Sequence, residues 1–305
     1  MKRSLLILLI APLFFFSCKK ESKNLSAEKY AVNIHVMNFT QKQTSFALRH
    51  AASHLASDTL SNLNSYVDLL YYVVVDQNFN PVKTKVQDST VANMGAFTDS
   101  LEAGTYYICM VAGKKGLEFT GTPGFGGYYD YSGKGWQDTF WASFTLIVGD
   151  SNLSRNVSLT RAVGKLEVQI SDNIPTNADS LFITVDGDAI QKSILDSAFF
   201  VTHSITFPVA IPPSAKGNPN FTVDRLIGGI SQSFHVTLTC KDAGGNVINT
   251  VTTNPIFCYA NKKTVLSGDL FTGITTGSLP QTFTVKVDTV WSSVFNQQSF
   301  SLQVH

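Results

Sequence analysis

The chain has 305 residues, 44% hydrophobic and 15% charged, with a formal net charge of +1. Its length allows two domains and more than one core. The near balance of acid and base gives no sign of the basic excess that a nucleic-acid partner favours.

Lys2 and Arg3 precede an almost wholly apolar run over residues 5–16, broken by Pro12. That run has the length of a secretory h-region and is too short to span a bilayer as a helix. Ser17 and Cys18 follow, then KKESKNLSAE. The arrangement resembles a bacterial lipobox, in which the signal is cut before a cysteine that takes a diacylglycerol. Phe15 stands where that pattern usually has leucine. Residues 1–17 are expected to be a signal peptide, Cys18 the lipid attachment site, and residues 18–28 a polar tether. Removal of residues 1–17 leaves about 288 residues and takes the formal net charge from +1 to −1.

From residue 30 the pattern is that of strands. YAVNIHVMNF alternates Val32, Ile34 and Val36 with Asn33, His35 and Met37, as a half-buried strand does. Residues 41–65 suit a short helix or a long loop. YVDLLYYVVVDQNFNPVKTKVQ reads as strand, turn at Asp76-Gln77-Asn78, and strand. SLEAGTYYICMVAG has apolar residues on both faces after a turn at Ala103-Gly104, which predicts a central strand. Residues 113–136, GKKGLEFTGTPGFGGYYDYSGKGW, interrupt this pattern with glycines among aromatics and predict a long irregular segment. Strands are predicted again at FWASFTLIVG, RAVGKLEVQIS and DSLFITVDGDAI, with Asp186-Gly187 as a turn. ISQSFHVTLTCKDAGGNVINTVTT predicts a hairpin, and CYANKKTVLSGDLF and QTFTVKVDTVWSSVF predict two more strands. The expected fold class is all-β: two tandem antiparallel β-sandwich domains over residues 29–160 and 161–305.

Chemistry-bearing motifs are sparse. The sequence contains no G-x-S-x-G, H-E-x-x-H, P-loop or C-x-x-C, so no catalytic residue and no cofactor is assigned. His50 and His54 have zinc-ligand spacing on a helix but no third ligand nearby. Asp186-Gly187-Asp188 offers carboxylates for calcium and equally suits a plain turn. Cys109 reads as a core residue, and a Cys240–Cys258 bridge stays open. The aromatic segment has two readings. Phe119, Phe125, Tyr128, Tyr129, Tyr131 and Trp136 would form a glycan-binding loop, with Asp130 or Asp138 accepting from sugar hydroxyls. Alternatively the loop packs its own aromatics against the sandwich.

The order of these elements resembles the fimbrillin-associated anchor lipoproteins of Bacteroidota, the FimB/Mfa-like family. The resemblance is carried by Cys18 with its tether, YVDLLYYVVVDQNFNPV, LEAGTYYICMVAG, RAVGKLEVQI and CYANKKTVLSGDLF, which together span most of residues 29–290. It implies two transthyretin-like sandwiches. It further implies a non-enzymatic anchor or minor fimbrial subunit, held in the outer membrane by lipid and joined to fimbrillin-like subunits by strand exchange. It also places Arg49, after the first strand, where polymerising relatives are cut. The aromatic glycine-rich stretch departs from the family pattern.

Overall fold

The computed structural model describes residues 28–40, 63–122, 125–131, 134–194, 199–228, 233–272 and 283–288. Cys18, Arg49, His50 and His54 lie outside them. The described chain is built of strands, with two short 3-10 turns at Leu63–Ser65 and Pro213–Ala215.

The first sandwich contains β1 (Lys29–Thr40), β2 (Leu69–Asp76), β3 (Pro81–Asp88), β4 (Ala96–Glu102), β5 (Gly104–Gly113), β8 (Thr139–Val148) and β9 (Leu153–Arg161). They form one continuous sheet in the order β3-β2-β5-β8-β9-β1-β4. At β8 and β9 only Phe140↔Arg161 and Trp141↔Thr160 pair, and the sheet folds over there. Inward residues of the two halves then meet. Leu70, Tyr72, Ile108 and Met110 pack against Val32, Ile34, Phe97 and Leu159. The alternation read in residues 30–39 is the inward face of β1. As expected from its two apolar faces, β5 is interior, between β2 and β8.

Rolling the sheet brings its two edge strands together, and side chains stitch them. Lys83 pairs with Asp99. Lys85 Nζ donates to the Thr98 carbonyl at 2.5 Å and Gln87 Nε2 to that of Ala96 at 2.8 Å. Gly95 N–H donates to Gln87 Oε1 at 2.8 Å. Lysines and polar groups on edge strands oppose strand addition, so these edges are protected.

The second sandwich contains β10 (Val163–Ile170), β11 (Ala178–Ser193), β12 (Phe199–Ala210), β13 (Phe221–Gly228), β14 (His235–Asp242), β15 (Val247–Thr252), β16 (Lys263–Gly268) and β17 (Thr284–Asp288). One sheet runs β13-β10-β16-β17. The other runs β15-β14-β11, with β12 along the opposite edge of β11. Leu166, Val168 and Leu266 pack against Leu181, Ile183, Val236 and Leu238. The AGGN hairpin is present between β14 and β15, with Gly245 at φ 80.

The structure corrects two expectations and closes one open alternative. The segment 113–136 is partly regular: β6 (Glu118–Thr122) and β7 (Phe125–Asp130) form a hairpin. That hairpin extends the second sandwich's sheet, through Lys192↔Tyr129 and Ser193↔Tyr128. Asp186-Gly187 does not reverse the chain. Gly187, at φ 98, forms a bulge inside the 16-residue strand β11, because β12 pairs along both sides of the bulge and keeps the strand running. Lastly, Cys240 and Cys258 are both free thiols within the second core.

Candidate functional site: the seam between the sandwiches

The outer face of β2, β5 and β8 carries Val73, Val75, Cys109, Val111 and Trp141. Apolar residues on the outside of a sheet demand a cover. The aromatic segment supplies it. Tyr129 is fully buried, with its ring edge-on to Tyr71 at 5.1 Å and to Trp141 at 5.9 Å. Tyr131 is buried, with its hydroxyl 3.0 Å from Thr139 Oγ1 and accepting from Lys114 N–H at 3.2 Å. Trp136, 2% exposed, crosses into the second sandwich. Its Nε1 donates to the Ala189 carbonyl of β11, and its ring meets Phe199 of β12 edge-on at 5.2 Å. Gly228 must lack a side chain here, because a Cβ would lie 2.9 Å from Trp136 Nε1.

Of the aromatics named in the two readings of this segment, Tyr129, Tyr131 and Trp136 are buried, with their faces spent on packing. Tyr128 is half-buried with Phe200 at 5.7 Å, and Phe125 lies on β7. Asp138, cast as a hydroxyl acceptor, is committed elsewhere. It receives Arg161 Nε at 2.6 Å and Nη2 at 2.7 Å, a two-pronged pair with Arg161 wholly buried. Asn261 of the second sandwich stands 3.5 Å from Arg161 Nη1. Sequence reasoning missed Arg161. Its one signal was an arginine amid the apolar residues where one domain passes to the next.

Two more charged groups are buried at the seam. Lys192 lies 4.7 Å from the Trp141 ring centroid and 4.4 Å from that of Phe199, in cation–π contact. Asp188, placed inward by the bulge, accepts from Gly228 N–H at 3.0 Å through Oδ1, while Oδ2 has no hydrogen-bond partner among the described residues. Arg225 stacks on the Phe207 ring at 3.7 Å and donates to the Lys134 carbonyl at 3.0 Å.

Burial raises the Asp188 carboxyl to about 7, against the lesser pull of Gly228 N–H and the Arg225 guanidinium. Its unfolded value is about 3.9. Between these values the folded protein holds a proton that the unfolded chain has lost, so stability falls as pH rises from about 4 to about 7. Asp188→Asn is expected to flatten that slope and to raise the melting temperature above pH 7. Thermal scans of both proteins across pH 4.5–8 check this, and an unchanged slope in the variant would show that Asp188 is not its source.

The chemistry available here is limited. Burial raises the Cys109, Cys240 and Cys258 thiols, the last two to about 11 and about 12, so none is a ready thiolate. A cavity of about 240 Å³ beside the seam is lined by Val73, Val75, Cys109, Phe144 and Ile194 among others, with no carboxylate or histidine. No group of three or more metal-ligating side chains converges among the described residues. No helix among them is long and apolar enough to cross a membrane.

No family model matches the sequence, and no curated protein does. Solved structures do match. The fimbrial anchor protein Mfa2 of Porphyromonas gingivalis superposes with a TM-score of 0.53 at 9% identity, over 86% of this chain and 98% of that one. A candidate polysaccharide-binding protein of Bacteroides thetaiotaomicron gives 0.51 at 10% identity, over 79% of this chain and 92% of that one. A candidate adhesin of Bacteroides ovatus gives 0.51 at 8% identity, over 75% and 82%. Identities this low establish architecture alone, and by architecture the chain shares the fold of the fimbrial anchor Mfa2.

Proposed function

We propose that this protein is a non-enzymatic envelope lipoprotein that anchors, or forms a minor subunit of, a fimbria or related surface polymer. The observation that carries the reading is the likeness to Mfa2 along 98% of that anchor's length. The lipobox-like stretch at Cys18 adds a means of attachment at the other end of the chain.

Assembly proceeds by strand addition, and among the edge strands of the described residues β17 suits it. The first sandwich has stitched edges. In the second, β17 pairs only with β16 among the described residues. Val285 sits opposite the wholly buried Leu266 and so faces the core side, yet it is 41% exposed. A partner strand there would satisfy the free backbone groups of β17 and cover Val285. The outer membrane, with the folded part at the cell surface, is the corresponding location.

Tagged protein purified from detergent-solubilised envelopes is expected to bring down fimbrillin-like subunits, identified by mass spectrometry. Cys18→Ala is expected to leave the membrane fraction and lose them. Recovery of the tagged protein alone would reject the anchor reading.

A further inference from the structure

Two ladders run parallel, β1 with β9 and β10 with β16, while the other ladders among the described residues are antiparallel. Their placement follows the covalent path from the tether to the second sandwich. The tether enters β1 at Lys29. β1 runs beside β9 from Val32↔Leu153 to Thr40↔Thr160, with one register shift between Val36 and Asn38. β9 ends at Arg161, and after Ala162 the chain is β10. β10 then runs beside β16 from Lys165↔Lys263 to Ile170↔Gly268.

Tension between the lipid end and the second sandwich pulls β1 by its N-terminal end and β9 by its C-terminal end. In parallel strands these pulls oppose each other along the strand axes. Every rung is then loaded at once, whereas pulling two adjacent ends apart opens the rungs one by one. The same holds for β10 and β16 when a partner on β17 draws on β16. β1 is also held on its other side, antiparallel to β4 from Lys29↔Glu102 to His35↔Ala96, and Val32 and Ile34 are fully buried.

We propose that the protein is a mechanical tether in which the β1–β9 and β10–β16 ladders are shear clamps, placed to resist extraction of the lipidated end from the folded body. The proposal rests on the anchor reading for the source of the tension, though the clamps themselves are a property of the isolated chain.

The test is single-molecule pulling of the full chain in a Cys18→Ser background, with thiol handles at exposed positions. The three other cysteines are buried. Handles at Lys29→Cys and Asp269→Cys load both ladders in shear. Handles at Lys29→Cys and Ser151→Cys pull the neighbouring N-terminal ends of β1 and β9 apart. Rupture is irreversible on the pulling timescale and reports the unfolding barrier. The first geometry is expected to rupture at severalfold higher force than the second. Equal forces, or a weaker first geometry, would overturn the proposal. This outcome is independent of the envelope purification: high shear strength without fimbrial partners would reject the anchor and keep the clamps, and the converse would reject the clamps alone.

Discussion

Trp136→Ala is expected to destabilise the protein by about 3–5 kcal/mol, the range for truncating a large buried aromatic. Trp136 fills space between Tyr131, whose ring centroid is 5.8 Å away, and Phe199 at 5.2 Å, and its indole N–H satisfies the Ala189 carbonyl. Alanine removes the ring contacts and leaves that buried carbonyl without its donor. Because the ring belongs to the first block of sequence and its socket to the second, the loss falls on the coupling of the two sandwiches. Denaturant unfolding of the wild type is expected to be one transition and that of the variant two, with the second sandwich melting first. A single transition with an unchanged midpoint would show that the seam does not join the two bodies. Limited proteolysis gives an independent reading, through faster cleavage between residues 113 and 138 in the variant.

The Arg161–Asp138 pair is expected to have an effect of similar size but opposite logic. Both partners are nearly inaccessible to solvent, Arg161 at 0% and Asp138 at 9% side-chain exposure, and the guanidinium lies 5.2 Å from the Phe140 ring centroid. Removing one partner strands the other charge in a poorly solvated place, so Arg161→Met or Asp138→Leu is expected to cost about 3–5 kcal/mol. Removing both eliminates the buried charges together. The double variant is expected to regain most of the loss, because an apolar pair of similar volume is often neutral or better in such a site. Denaturation of the wild type, both single variants and the double variant measures the coupling directly. Strictly additive losses would mean that the two residues act separately.

The strands were legible because their signals are local. Period-two alternation marked β1, the Val- and Tyr-rich run marked β2, and doubly apolar β5 announced its central place. The AGGN turn is local too, since glycine there supplies a positive φ. The same kind of signal misled at Asp186-Gly187. A glycine in a strand admits a bulge as well as a reversal, and only β12, paired with both Asp186 and Asp188, decided between them.

The seam could not be read in this way. The glycines of residues 113–136 predicted an irregular segment, and its aromatics suited a glycan-binding loop and a loop packed on the sandwich equally well as patterns. Burial depends on what lies opposite, and the opposing groups, Ala189, Lys192, Phe199 and Gly228, come from sequence far downstream.

By itself the sequence determined that the chain is all-β, and it supplied the leader-like start, since composition, turn residues and alternation act over a few residues each. Tertiary structure alone decided which strands run parallel, which edges are closed, and that the aromatic segment joins two bodies. Those outcomes rest on pairings between distant parts of the chain, whose free energy appears only once both surfaces have left water together.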